Sequence, residues 1–503
     1  MRSSQTPVRQ FVNAALIPNI AGLITAQCLA SLHVLLSNLR LFEKISAISA
    51  AGYLGVPNLL TMPLLKSFDA VFNGGIFFTL SLGAGLSLLS FAAAWFWVYG
   101  FNRRKSALLF YCLLLLALLF MINHRGFVLF PSLYFIIVPP IVFSMTAKRN
   151  RQKTFTHRLW MRLFPVYPLI LLTLLWSTQM DSRLFINIRD YILMSNPVGI
   201  KINDFYYRYT LYPAEVFKSL SQKLLRSCDL SEIANTPVHR RVARQLRNHD
   251  YLAVSGLDAP DLMLRAENDR LIFMHAGRKV LETDGPIFLS KPKPLLDQFS
   301  AETDRLTFFR SATFYGILVA FPVLLYFIFY SLLRLIFSTV LQSPAASVLA
   351  AGLCFMLGIG LLIPVYLTGI IRVDSGNLHQ TITSERWQDQ VAGLQYIEKN
   401  RIDIADAHAY ATMVSSPHLP VRYWAARAMA KSRQPETYPY LFALIRDPHV
   451  NVVCQALYGL GKRGRRHAVP EIISLIKTSH SWYIQRYGYN ALRMLGWRQP
   501  ELK

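Results

Sequence analysis

Acidic residues are what this sequence most conspicuously lacks. Only 28 Asp and Glu stand against 53 Lys and Arg, and charged residues make up 16% of 503 positions. A soluble domain carries about 25%. With 53% hydrophobic residues and a mean hydropathy of +0.31, that shortfall excludes both a purely soluble chain and a disordered one. Cysteine is scarce too, and five in 503 residues exclude a disulfide-dense scaffold. The sequence has no Cys-x-x-Cys, no phosphate-cradling Gly-x-x-x-x-Gly-Lys, no His-Glu-x-x-His and no Gly-x-Ser-x-Gly. Neither a metal nor a cofactor is therefore expected. Cys28, Cys112 and Cys354 fall in apolar runs and read as packing residues. Cys228 and Cys454 would share a compartment, but spacing alone does not bring them within bonding reach.

The formal charge of +25 is unevenly placed. Residues 181–310 carry a net +3 and residues 372–503 a net +8, while the apolar remainder carries +14 with only two acids, Glu43 and Asp69. A nucleic-acid binder gathers its basic residues on a water-facing surface. Basic residues set between long apolar runs are what membrane topology demands instead. No nucleic-acid partner is expected; membrane lipid is.

A spanning helix needs about 20 apolar residues. Seven stretches free of Asp, Glu, Lys and Arg meet or nearly meet that length: 10–39, 70–102, 106–124, 126–147, 163–180, 311–333 and 335–371. An eighth, 45–65, is diluted by Gly52, Gly55, Pro57, Asn58 and Pro63. It reads as a re-entrant or interfacial segment, which needs protein or water over its backbone, or as an ordered loop. With seven spans and the N-terminus inside, twelve Lys and Arg fall in inner loops and four in outer ones, the cluster from Lys148 to Arg162 deciding the balance. Both large water-facing blocks then lie outside, in the periplasm of a bacterium, and the chain is a multi-pass protein of the cell inner membrane.

The expected fold is a polytopic α-helical membrane protein of about seven spans, with an α+β extracytoplasmic domain and a C-terminal all-α solenoid. Its parts are a membrane domain over 1–180, the outer domain over 181–310, two further spans over 311–372 and the solenoid over 373–503. In the outer domain, 181–226 reads as helix or loop and 250–290 as β, with a hairpin pattern around 266–270. Asp284-Gly285-Pro286 reads as a turn, and Lys291-Pro292-Lys293-Pro294 as an extended connector. A dense aromatic motif includes Tyr206, Tyr207, Arg208, Tyr209 and Tyr212. It suits either an aromatic belt at a membrane surface or a ligand or carbohydrate platform. Asp204, Arg208 and Glu215 are spaced to pair along a helix.

The C-terminal part repeats. Pro417-His418-Leu419-Pro420-Val421 recurs 31 residues later as Pro448-His449-Val450-Asn451-Val452, and Ala425, Ala456 and Ala491 align in three copies. Short amphipathic patterns at 438–446 and 469–477 lie between the copies. Two helices per 31–35 residues define a helical solenoid. From the Asp447-Pro448-x-x-x-Val452 turn followed by an Ala/Leu helix, residues 415–498 resemble HEAT-like repeats of the phycobilisome-lyase type. That resemblance implies a protein-binding surface, and the lyase name transfers no activity. Arg422, Arg427, Arg463, Arg465 and Arg466 are the binding candidates on it, suited to an acidic partner or anionic headgroups.

Two functional readings follow. One is a non-catalytic membrane scaffold or assembly subunit that gathers other envelope proteins through the repeats. The other is an envelope enzyme or lipid-handling protein, for example in polyprenyl-linked glycosyl transfer, with Glu43, Asp69 and His33 at the outer face of the bundle. The polar character of the first span (Asn13, Asn19, Gln27, His33, Asn38) favours the second, though such groups also serve helix packing.

Overall fold

The computed structural model describes residues 7–150, 166–179, 184–233, 239–267, 270–368, 371–404 and 409–501. The basic residues Arg151, Lys153, Arg158 and Arg162 of the orienting cluster lie outside the described residues. The chain is mostly helical and divides into two compact units.

The first unit comprises residues 1–36, 68–182 and 304–363. Its helices are the N-terminal part of α1 (Pro7–Ala50), α2 (Phe68–Tyr99), α3 (Lys105–Asn123), α4 (Leu129–Arg149), α5 (Val166–Ser177), α12 (Thr307–Phe337) and most of α13 (Ser343–Thr368). Six helices among the described residues are long and apolar enough to cross a membrane; α5, with 12 residues, is the shorter seventh. Apolar runs with no amphipathic break make these helices. Their outward faces stay apolar, with Phe110 and Phe120 of α3 more than 70% exposed.

Small residues set the packing distances. A Cβ on Gly83 of α2 would lie 2.6 Å from that of Ala26 on α1, and one on Gly22 of α1 would meet the Ser87 hydroxyl at 2.3 Å. Helices that bury no polar contrast associate through such close approach and through a few hydrogen bonds. Gln27 on α1 supplies two of these bonds. Its amide N–H donates to the Phe72 carbonyl at 2.8 Å, and its oxygen accepts from Thr79 Oγ1 at 2.7 Å. Helix α5 packs against α12 and α13 through Leu172, Tyr330, Ala350 and Cys354. Two π turns, Thr79–Gly83 in α2 and Gly316–Ala320 in α12, meet each other.

The second unit gathers residues 37–67, 183–303 and 364–503. The C-terminal part of α1 enters it, followed by a loop and a short 3-10 helix, Met62–Lys66. Helices α6 (Leu184–Ile188), α7 (Pro197–Tyr209) and α8 (Leu211–Phe217) lead to a five-stranded sheet. Its strands are β1 (Arg226–Asp229), β2 (Tyr251–Ala253), β3 (Leu262–Glu267), β4 (Arg270–His275) and β5 (Arg278–Asp284), in the order β2-β1-β3-β4-β5. β1 pairs parallel with β2 and β3, and β3–β4–β5 form an antiparallel meander. Helix α9 (His239–Asn248) lies between β1 and β2 in sequence. With α10 (Gly285–Ser290) and α11 (Pro292–Thr303), it closes a core around Phe273, Phe288, Phe299, Val242 and Leu246.

Two local expectations are corrected here. The segment after Lys291 is helix α11 rather than an extended connector, because both prolines sit in its first turn, where a missing N–H costs nothing. Gly285-Pro286 opens helix α10 for the same reason.

The repeat region consists of α14 (Leu378–Ile382), α15 (Trp387–Asn400), α16 (Ala409–Val414), α17 (Leu419–Lys431), α18 (Thr437–Ala443), α19 (Val450–Arg463), α20 (Val469–Thr478) and α21 (Trp482–Met494). The longer helices α15, α17, α19 and α21 stack in series, and each shorter helix packs on the longer one that follows it. Gly459 lies where a Cβ would touch Ala430 at 3.1 Å, and Gly461 where one would touch the Ala491 Cα at 3.1 Å. Small residues at the repeated positions therefore fix the helix spacing. Cys228 and Cys454 are buried free thiols.

A Cβ at Gly316 would sit 2.5 Å from the Ser81 carbonyl oxygen, where the two π turns meet. Gly316→Ala is expected to destabilise the first unit by about 1–3 kcal/mol, as other overpacking changes do. Thermal unfolding of the detergent-solubilised chain reads this directly; an unchanged midpoint would show that the turns separate freely.

Candidate functional site

The stacked long helices of the repeat region present their N-terminal halves to other parts of the second unit. The residues there are large and polar at one end, and each has an internal partner. Trp424 Nε1 on α17 donates to Asp190 Oδ2 at 2.7 Å. Arg189 donates to the Tyr423 hydroxyl at 2.6 Å and lies 4.0 Å over that ring. Asp190 is fully buried; burial pushes its carboxyl up against the pull of Arg189. On α19, Asn451 and Asn203 exchange amide hydrogen bonds at 3.0 and 3.1 Å. On α21, Tyr483 bonds Thr210 at 2.8 Å and its ring lies 4.7 Å from that of Tyr207, while Trp482 meets Tyr212 edge-on at 5.2 Å.

The 45–65 segment joins the same surface. Its first residues are the last turns of α1; a loop with buried Gly55–Asn58 and exposed Leu59 and Leu60 leads on to the 3-10 helix. The Asn58 amide donates to the carbonyls of Ile476, Lys477 and Ser479 at 2.8–3.0 Å. These are oxygens that the end of α20 leaves without intrahelical donors. Gln485 accepts from the Asn58 backbone N–H at 2.9 Å and donates to Thr61 Oγ1 at 2.7 Å. Gln499 pairs with both backbone groups of Leu54, at 2.9 and 3.0 Å. Asp250, which adopts a left-handed φ of 60°, accepts from the Tyr489 hydroxyl at 2.6 Å and pairs with Arg493 at 3.2 Å.

The residues singled out from sequence distribute as follows. Tyr209 and Tyr212 are buried, Tyr207 is half-buried against Tyr483, Tyr206 is 50% exposed, and Arg208 is exposed. The aromatic motif thus packs on the repeat helices. Glu215 pairs with Lys218 rather than Arg208. Arg422 forms a two-pronged pair with Asp447, with its Nε at 2.6 Å, and bonds the Ser416 carbonyl. Arg427 reaches Glu398 at 3.0 Å and lies over Trp424. Arg463 donates to the carbonyls of Met429, Ser432 and Gln434, tying one inter-repeat turn to the next. Arg465 and Arg466 are exposed. In the first unit, His33 stacks on Phe130 at 4.8 Å, near Phe78 and Phe309, and Asp69 is exposed and accepts from Asn73. Glu43 is exposed on the part of α1 belonging to the second unit.

The C-terminal ends of the long repeat helices make one basic edge. Lys431 bonds the Glu398 carbonyl, Arg433 N–H meets Asp403, Arg463 spans to 429–434, and Arg466 lies beside Gly496. These contacts put the turns after α15, α17, α19 and α21 side by side. Lys399, Arg401, Lys431, Arg433, Lys462, Arg465, Arg466 and Arg498 are all exposed along it.

Residues 408–493 match the family model for HEAT repeats. The C-terminal region is therefore HEAT-like, in agreement with its stacked helix pairs. No curated protein and no solved structure matches the chain. HEAT repeats generally mediate protein–protein contact, so a protein-interaction role is indicated for this region. Among the described residues no group of three His, Cys, Asp or Glu is placed to hold a metal ion.

Sequence reasoning missed a buried charged cluster. Asp261, ahead of β3, accepts from Lys44 Nζ at 2.8 Å, Lys223 Nζ at 3.2 Å and the Ser227 N–H at 3.0 Å. Burial alone would raise its carboxyl, but Lys223 and Lys44 beside it hold it well below the usual carboxylate range. Burial likewise works against Glu215, which its Lys218 partner keeps below its ordinary value. Nothing in the sequence links Lys44 to a residue 217 positions away.

Asp261→Asn leaves two buried ammonium groups without a counter-charge. It is expected to cost about 3–5 kcal/mol at neutral pH. Because the folded carboxyl is depressed, its contribution is fully present above about pH 4 and is lost as the pH falls through the folded value. Urea unfolding of wild type and variant from pH 7 downward should show a gap that narrows only below about pH 4. A gap constant across that range would remove the electrostatic account.

Proposed function

We propose that this chain is a multi-pass membrane scaffold of the bacterial inner membrane, non-catalytic, whose second unit lies outside and binds another envelope protein. The observation that carries the reading is the HEAT-like region itself. The N-terminal halves of its long helices meet the chain's own 184–217 segment and the 51–61 loop, and its basic edge is exposed and open to a partner. An acidic segment suits that edge by charge. The finer likeness to phycobilisome-lyase repeats adds a repeat type and no reaction.

Two further observations support the membrane part. A soluble monomer rarely exposes apolar faces as extensive as those of α3 and α13. The second is the parity of the crossings. Residues 37–67, 183–303 and 364–503 build one compact unit, so in a membrane protein they share one side. The chain must then cross an even number of times between 67 and 183. Helices α2, α3 and α4 supply three crossings, and α5, packed on α12 and α13, is the candidate for the fourth. Helices α12 and α13 return the chain to the same side. Seven spans, with membrane lipid around them, satisfy that parity; the outer side itself rests on the excess of Lys and Arg in the inner loops.

Orientation is tested with a membrane-impermeant maleimide on intact spheroplasts, using single cysteines in a cysteine-free chain. Leu64→Cys, Asp258→Cys and Arg433→Cys, one from each segment of the second unit, should all react. Arg104→Cys should react only after lysis. Protection of any of the first three would overturn the shared outer side.

Partner binding is tested with the full chain in mild detergent. Arg465→Glu with Arg466→Glu should reduce co-purification of the bound envelope protein at least tenfold, while Arg465→Lys with Arg466→Lys retains it. Capture should also weaken as salt rises, since exposed charges are screened beyond about 8 Å at 0.15 M. Capture that survives the reversal would place the partner elsewhere.

A further inference from the structure

Around Asp261 the charges do not cancel. Lys44, Lys218, Lys223 and Arg486 supply four positive groups, while Asp261 and Glu215 supply two negative ones. Both carboxylates are already committed, Asp261 to Lys44 and Lys223, and Glu215 to Lys218. Arg486, on α21, has no hydrogen bond or ion pair among the described residues. The side chains of Lys44, Lys218, Asp261 and Glu215 are each 8–12% exposed, that of Lys223 is 22% exposed, and Arg486 is partly exposed. Buried charge without a partner is costly, and proteins normally provide one.

The missing partner has a place to sit. A cavity of about 20 Å³ lies among Lys44, Lys218, Glu215 and Arg486, walled by Ile45, Val56 and Trp482. A site needs roughly 10–15 Å³ to admit one water-sized occupant. The space therefore suits a single atom-sized group and is too small for a whole phosphate or carboxylate. Lys44, Lys218 and Arg486 line it, the nearby carboxylate is engaged by Lys218, and the remaining wall is apolar. Water would leave the excess positive charge uncompensated.

We infer that this cavity is a binding site for one small monovalent anion of halide size, held by Lys44, Lys218 and Arg486. The anion neutralises part of the surplus charge. It ties together the end of α1, the segment after α8 and the last repeat helix, which are three sequence-distant parts of the second unit. The site is independent of the proposed partner edge and of the membrane reading.

The test is thermal unfolding of the full chain in an uncharged detergent, at constant ionic strength, with sodium gluconate replaced stepwise by sodium chloride or bromide. Both halides should raise the midpoint by several degrees along a saturating curve, and gluconate should not. Arg486→Gln should weaken the apparent halide affinity at least tenfold. Lys218→Met is the second variant, should the first fail to fold, and should do the same. Identical midpoints in all three salts would overturn the site, as would a halide response unchanged in both variants. A rise seen only with phosphatidylglycerol vesicles, and not with halide, would overturn it in favour of a lipid headgroup oxygen.

Discussion

The second unit depends on one requirement: polar groups on the repeat helices must be satisfied by segments far away in sequence. Asn451 with Asn203, Trp424 with Asp190, and Gln485 with the Asn58 backbone N–H and the Thr61 hydroxyl are buried contacts separated by more than 200 residues. A buried amide or carboxylate left unmatched costs about 1–3 kcal/mol or more. Each such pair therefore specifies a docking position that apolar packing would leave free to slide. Asn58 is the most demanding case, since one side-chain amide supplies donors to three carbonyls at the end of α20. The helical repeat thus acts first as the frame on which its own chain is assembled.

That frame changes what its arginines do. Arg422 closes against Asp447 and the Ser416 carbonyl, and Arg463 draws together carbonyls from the neighbouring turn. A guanidinium offers five donors in a fixed plane, which suits it to bridging several backbone oxygens at once. These residues hold repeat to repeat. The cations placed to meet another molecule are those displaced toward solvent at the turns, among them Arg466 and Arg465, the latter lying over the Tyr438 ring at 4.6 Å. Basic residues close in sequence, such as Arg463 and Arg465, therefore divide between internal and external work, and only burial separates them.

The sequence made some of this legible and hid the rest for physical reasons. Long apolar runs declare helices because hydrophobicity is local, and six of the seven stretches correspond to long helices. The repeats were visible because each copy solves the same packing problem with the same small residues. The β3–β4 hairpin showed as two apolar runs flanking the polar residues at 266–270. Strand β1 did not, because Arg226-Ser227-Cys228-Asp229 carries no period. The aromatic motif was noticed but its partners were not, since Tyr483 and Trp482 lie more than 250 residues away. Lys44 counted only as one of the four basic residues of the outer loops, and only folding sets it against Asp261.

The chain's charge excess has two separate physical consequences. On the basic edge it is exposed, screened and exchangeable, so it suits a partner that comes and goes. Around Asp261 it is largely buried, and bulk counter-ions relieve a buried excess poorly. It must be met by a fixed negative group, by a shift in protonation, or by a bound ion. The carboxylates present are already committed; burial lowers the Lys218 ammonium, while Asp261 holds Lys223 above its ordinary value against its burial. Of the three routes, a bound anion is the one that needs no change in the residues already in place.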